Sequence, residues 1–217
     1  MKPDTRRETV AGPAGAIECA IDEPADGIVA RGVAVLCHPH PQFGGTMDNK
    51  VVQTLARAFV QLGYRAVRFN FRGVGGSAGA WDEGRGEIDD ALAVITAERA
   101  AHPGLPLALG GFSFGGFVAA QAADRLQAAA RPVERLVLVA PATSRFPMPA
   151  TVAPDTLLVH GEADDVVPLA STLDWARPQA LPVIVLPGVG HFFHGQLPLL
   201  KQQIVQAWHV PSLSSGS

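Results

Sequence analysis

Gly110-Gly111-Phe112-Ser113-Phe114-Gly115-Gly116 decides the reading of this chain. An apolar run, Leu105 to Leu109, precedes it, and an alanine-rich segment beginning at Val118 follows. That context reads strand, sharp turn, helix. A serine at such a corner, with glycines two before and two after it, has the pattern of a nucleophile elbow. The turn holds the serine in a strained backbone conformation and exposes its hydroxyl at the sheet edge. Gly111 and Gly115 lack the side chains that would clash in so tight a corner.

Outward from the corner, apolar runs of strand length alternate with helical spacing. Arg6 to Pro13 and Ala16 to Pro24 read as an N-terminal hairpin turning at Ala14-Gly15. Gly32 to Cys37 is a buried strand. Over Asp48 to Leu62, the side chains of Val51, Val52, Leu55, Phe59 and Leu62 share one helical face, which Gly63 closes. A strand from Tyr64 to Phe71 leads into a glycine-rich loop, Gly73 to Gly79. A helix over Glu87 to Ala101 follows, with Ile88, Leu92 and Ile95 on one stripe. Beyond the corner a helix runs to about Ala130. Strands over Arg135 to Val139, Thr156 to His160 and Pro182 to Leu186 follow, then a last helix, Leu199 to Trp208. This alternation predicts an α/β fold: a mostly parallel twisted sheet with helices on both faces and an antiparallel N-terminal hairpin. The length predicts a single domain over residues 1–210, with the Ser/Gly-rich stretch 211–217 as a disordered tail.

Composition narrows the class. The chain has 217 residues, 47% of them apolar, and a formal charge of −3. That charge gives no electrostatic case for nucleic acid or an anionic membrane. The apolar stretches are strand-sized, so no segment is long enough to span a bilayer. The polar start, Met1 to Val10, is unlike a signal peptide. Cys19 and Cys37, the two cysteines, both fall in predicted strands and read as buried free thiols. A cytoplasmic location is the default expectation. No cofactor is expected: Gly73 to Gly79 lacks the Gly-Lys-Ser/Thr of a phosphate loop. His38, His40 and His194 lack the partners of a metal site. The sequence does not fix an oligomeric state.

In a parallel sheet, chemistry gathers at the carboxyl ends of the strands. The loop after Thr156 to His160 reads Gly161-Glu162-Ala163-Asp164-Asp165-Val166-Val167-Pro168, and the loop after Pro182 to Leu186 reads Gly188-Val189-Gly190-His191-Phe192-Phe193-His194. A serine hydroxyl is a weak nucleophile until a neutral imidazole takes its proton. The imidazole in turn needs a carboxylate to hold its tautomer and stabilise its charge. His191 is the candidate base for Ser113. Asp164 and Asp165 are both candidates for the acid; being adjacent, they project in different directions.

With these motifs in chain order, the sequence resembles the α/β-hydrolase superfamily along nearly its whole length. That resemblance implies a Gly-x-x-Asp-x-x-Val-Pro loop with the acid at Asp164, leaving Asp165 as a solvent-exposed residue or a cap for a helix near Leu169. Some members carry the acid one strand earlier, but Leu136 to Pro154 contains no Asp or Glu. The resemblance also implies an oxyanion hole from the backbone N–H groups of Phe114 and His40, the latter in His38-Pro39-His40-Pro41-Gln42-Phe43-Gly44-Gly45. Pro39 and Pro41 have no N–H to offer. This loop with Gly-Gly-Thr-Met-Asp-Asn-Lys, together with Arg68-Phe69-Asn70-Phe71-Arg72-Gly73-Val74-Gly75 and Gly86-Glu87-x-Asp89-Asp90, resembles a small, mostly bacterial group of α/β-hydrolases related in style to dienelactone hydrolases. Those use a cysteine nucleophile. This chain has Ser113, so a dienelactone substrate is not implied.

The resemblance places lids after the strand that here is Arg135 to Val139. The segment from Ala140 to Asp155 is short and proline-rich, which predicts an open site with no cap domain. Phe43, Phe146, Met148, Val166 and Phe192 are the expected apolar walls, and no positive cluster calls for a strongly anionic substrate. The expectation is a serine hydrolase acting on small to medium carboxylic esters. A thioesterase or acyltransferase with the same triad, and a non-catalytic binding protein on this fold, are the rival classes. Arg72, Glu87 and Asp89 read as a buried ionic cluster that pins loops, and His38 as a structural hydrogen-bonding residue.

Overall fold

A computed structural model describes residues 5–25 and 27–208; the tail expected at 211–217 lies outside them. Strands β1 (Arg6–Gly12) and β2 (Gly15–Asp22) form the antiparallel hairpin. Strand β2 pairs antiparallel with β4 (Tyr64–Phe69). The rest of the sheet is parallel: β3 (Gly32–Cys37), β5 (Leu107–Phe112), β6 (Arg135–Val139), β7 (Leu157–Gly161) and β8 (Val183–Leu186). The order across the eight-stranded sheet is β1-β2-β4-β3-β5-β6-β7-β8.

Among the described residues five α-helices cover it: α1 (Lys50–Gln61), α2 (Arg85–Ala101), α3 (Phe114–Ala128), α4 (Leu169–Ala176) and α5 (Leu197–Trp208). Strand β3 explains why its sequence shows no alternation. Val33, Val35 and Cys37 enter the apolar cluster shared with α2 and α3, while Ala34 and Leu36 enter the one shared with α1 and α5. A strand covered on both faces needs apolar residues at every position. Helix α1 starts where Asn49 Oδ1 accepts the Val51 and Val52 N–H groups, at 2.9 and 3.4 Å, satisfying donors that a helix start leaves free.

Most element ends shift by one or two residues from their sequence reading, helix α4 has no range of its own in it, and there are three further differences. Strand β5 runs on through Gly110 and Gly111 to Phe112, because the parallel ladder pairs Gly110 with Val137 and Gly111 with Leu138. Strand β4 stops at Phe69: the Asn70 N–H still donates to the Glu18 carbonyl at 2.9 Å, but its Oδ1 accepts the Met47 N–H at 2.9 Å and the chain then turns, with the Val74 N–H on the Phe71 carbonyl at 3.1 Å. The stripe of α2 runs through Ile88, Ala91, Val94 and Ile95, with Leu92 only half-buried. Residues 140–156, between β6 and β7, carry no helix and no cap. Among the described residues no helix is long and apolar enough to cross a membrane.

Candidate active site

Ser113 sits between β5 and α3 at φ 56° and ψ −119°. A non-glycine residue there stores roughly 1–3 kcal/mol of strain. The corner is held by the Ser113 N–H on the Val139 carbonyl at 3.0 Å and by the Ala142 N–H on the Ser113 carbonyl at 3.1 Å. A Cβ on Gly111 would strike the Gly115 carbonyl, and one on Gly115 would strike the Cys37 carbonyl. Gly115→Ala is therefore expected to destabilise the protein by about 1–3 kcal/mol. Thermal unfolding checks this, at about 2–4 °C per kcal/mol for a chain of this size. An unchanged Tm would refute the close approach.

The loop after β8 brings His191 over Ser113. The loop after β7 lies beneath it: the Glu162 N–H donates to the Leu186 carbonyl and the Ala163 N–H to the Val189 carbonyl, both at 3.0 Å. His191 is 3% exposed and lies 4.9 Å from the Phe112 ring and 5.1 Å from Phe192, centroid to centroid. Its Nδ1 donates to Asp164 Oδ2 at 2.7 Å, and its Nε2 lies 3.1 Å from Ser113 Oγ. Asp164 Oδ1 accepts the Val166 and Val167 N–H groups at 2.9 and 2.7 Å. Burial opposes its charge, but hydrogen bonds from His160, His191 and the Val167 N–H outweigh that and hold the carboxyl well below its ordinary range. Asp165 is exposed, and helix α4 has no side-chain cap.

A second histidine touches the carboxylate. His160 is fully buried in β7, and its Nε2 lies 2.9 Å from the Val167 carbonyl and 3.3 Å from Asp164 Oδ2. Both neighbours are acceptors, so Nε2 carries the proton. Nδ1 has no partner among the described residues. The sequence reading took His160 only as a strand end. The available signal was an imidazole inside an otherwise apolar strand.

The loop after β3 closes the other side. His38 Nδ1 lies 2.6 Å from the Pro39 carbonyl, and its Nε2 accepts the Phe71 N–H at 3.0 Å. Burial lowers its pKa to about 4, which keeps this doubly bonded imidazole neutral. The Met47-to-Asn49 end of the loop is fixed by Asn70 and by Arg68, whose Nη1 donates to the Met47 carbonyl at 2.8 Å. His40 packs against Trp81, Phe43 and Phe114 at 4.5, 4.8 and 5.0 Å between ring centroids. The Phe114 N–H lies in the first turn of α3, where no helical carbonyl reaches it. Among the described residues no acceptor engages the His40 N–H.

These loops enclose a cleft of about 340 Å³. Phe43, Phe114, Phe146, Val166 and Phe192 line it with Ser113, His40 and His191. Met148 does not. Gln121 Nε2 holds the Pro147 carbonyl at 2.6 Å and Trp175 Nε1 holds the Pro149 carbonyl at 2.8 Å, which turns Met148 into the apolar cluster under α3. Asn49 and Arg145 line the cleft without having been expected there. The ionic cluster is also wired differently from its sequence reading. Arg72 pairs with Asp90, not Asp89, through Nη2 to Oδ1 at 2.8 Å and Nε to Oδ2 at 3.0 Å. Asp89 pairs with Arg125 at the surface, and Glu87 accepts the Asp82 and Gly84 N–H groups ahead of α2. Burial pushes both thiols up, Cys19 to about 12.

Residues 29–153 match the serine aminopeptidase S33 family. A serine hydrolase without lid from Xanthomonas campestris is 37% identical, over 95% of this chain and 97% of that one, with a TM-score of 0.85. The chain belongs to the α/β-hydrolase superfamily. A serine hydrolase homologue from Coxiella burnetii is 38% identical over 93% of this α/β-hydrolase and 96% of its own chain, with a TM-score of 0.81. An uncharacterised protein of Rickettsia prowazekii is 44% identical over 90 residues, a match spanning 41% of this chain and 38% of that curated relative.

Proposed function

We propose that this α/β-hydrolase is a serine esterase acting on small to medium carboxylic esters through an acyl-enzyme on Ser113. The observation that carries the reading is the continuous hydrogen-bonded line from Ser113 Oγ through His191 to Asp164, at 3.1 and 2.7 Å. His191 Nε2 takes the Ser113 proton as Oγ attacks the ester carbonyl. The tetrahedral oxyanion accepts from the backbone N–H groups of Phe114 and His40, donors set in place before the charge develops. Collapse expels the alcohol, which takes the proton from His191. His191 then deprotonates a water that attacks the acyl carbonyl and frees the acid.

Ester rather than peptide chemistry is favoured by the cleft wall. An aminopeptidase must neutralise a substrate ammonium, and among the described residues no Asp or Glu lines this cleft. A fluorophosphonate probe tests the nucleophile: it should label the wild-type protein and leave Ser113→Ala unlabelled. Labelling of that variant would remove the assignment.

His160 acts on this chemistry through Asp164, as a positioning residue. Its Nε2–H holds Oδ2 alongside His191. A hydrogen bond to a charged group contributes about 1.5–3 kcal/mol, so His160→Leu is expected to lower kcat about tenfold with KM little changed. His160→Gln, which keeps a donor, should recover most of the loss. A purely structural His160 would show no such recovery, and steady-state kinetics on both variants decides it.

A further inference from the structure

Outside the Ser113–His191 pair, three polar side chains line the cleft: His40, Asn49 and Arg145. All three offer donors. Asn49 Oδ1 is taken by the Val51 and Val52 N–H groups, which leaves its amide N–H₂. His40 Nδ1 accepts the Gln42 N–H at 3.2 Å, so the imidazole proton sits on Nε2. Arg145 offers a guanidinium, and among the described residues no carboxylate pairs with it. It lies close enough to His40 that, after burial, its charge is the second cause holding that imidazole below its ordinary pKa. The remaining wall is mainly aromatic and aliphatic, with Phe43 78% and Phe192 46% exposed at the mouth. A cleft with one unpaired cation, further donors and no carboxylate is complementary to an anion carried on an apolar spacer.

We propose that the preferred substrates are half-esters of dicarboxylic acids, with Arg145 binding the free carboxylate while Ser113 attacks the ester carbonyl. The proposal rests on the esterase reading above. Guanidinium and carboxylate match in planar, two-toothed geometry, and charge-assisted bonds of this kind are about twice as strong as neutral ones. Arg145 is exposed, so water and salt screen the pair and the gain stays modest. The aromatic walls pack the methylene spacer. The protein's overall charge of −3 works weakly against an anion at long range, and the local guanidinium outweighs it at contact distance.

The test compares kcat/KM for the mono-p-nitrophenyl esters of succinate, glutarate and adipate with the same compounds methylated on the free carboxylate. At the best spacer length the free acid should outpace its methyl ester about tenfold, equivalent to 1.4 kcal/mol. Added salt should shrink that ratio. Arg145→Gln should erase it, and Arg145→Lys should keep part of it. A wild-type ratio at or below unity overturns the proposal, as does a preference that survives Arg145→Gln. Turnover of the esters with a flat ratio leaves the esterase reading standing. Turnover of none of them removes that reading and this proposal together.

Discussion

Ser113→Ala is expected to lower kcat toward p-nitrophenyl esters by about 10⁴–10⁶-fold while leaving the protein folded. The fold should survive because alanine retains the Cβ, so the corner at φ 56° is no more strained than before. The two backbone hydrogen bonds that fix the corner, to Val139 and from Ala142, do not involve the side chain. What disappears is one hydroxyl 3.1 Å from His191 Nε2, a bond of about 1 kcal/mol in stability. The residual rate should still exceed that of water, since the backbone donors of Phe114 and His40 stay in position. Neither cysteine is a ready replacement for Ser113, since both are buried and burial raises both thiols. Cys37, the nearest thiol along this edge of the sheet, is fully buried, and burial pushes its pKa up so that it stays protonated. Rapid-quench or steady-state kinetics on the purified variant decides the matter. Turnover within tenfold of the wild type would place the chemistry elsewhere.

What could be read from sequence, and what could not, follows from the range of the forces involved. Strands β3 and β6 were legible to the residue, because burial on both faces demands unbroken apolar runs. The elbow was legible because its geometry excludes side chains at Gly111 and Gly115. The same glycines hid the end of β5, since a paired glycine carries no apolar signal. Helix α4 had only a passing hint near Leu169: just Thr172 and Ala176 are buried, too few for a period to show. The order of Ser113, the Asp164-Asp165 pair and His191 along the chain pointed to the proposed triad, but preferring Asp164 over Asp165 from sequence needed a family resemblance. In the structure Asp164 is buried against His160 and His191, and Asp165 is exposed. Loop membership places a side chain near the site without giving its direction. That is why Phe146 reaches the cleft and Met148 turns away, and why Arg145, a lone arginine in a proline-rich segment, gave no warning.

Asp164→Asn should cost nearly as much as loss of the nucleophile, about 10⁴-fold in kcat, although it preserves shape. Among the described residues, the groups that hydrogen-bond this carboxylate are all donors: His191 Nδ1–H and His160 Nε2–H on Oδ2, and the Val166 and Val167 N–H groups on Oδ1. An amide has one acceptor oxygen and one N–H₂ group. If its oxygen faces the backbone, its N–H₂ faces two imidazoles, and His191 is driven to carry its proton on Nε2, where it cannot take the one from Ser113. If the amide is reversed, His191 keeps the right tautomer but two backbone donors are left buried against a third, at about 1–3 kcal/mol for each unsatisfied group. The variant should therefore lose both activity and several degrees of Tm. Acid stability should change as well. The native carboxyl titrates below its unfolded value of about 3.9, so its contribution to stability is present above that pH and lost as the pH falls through the lower folded-state value. Asp164→Asn removes that dependence, and the stability gap between wild type and variant should narrow in strong acid. Asp165→Asn is the control: exposed and outside the hydrogen-bonded line, it should change kcat by less than twofold and stability by under about 0.5 kcal/mol. A severe Asp165→Asn with a mild Asp164→Asn would transfer the acid's role to the neighbouring residue and break the line from Ser113 on which the esterase reading depends.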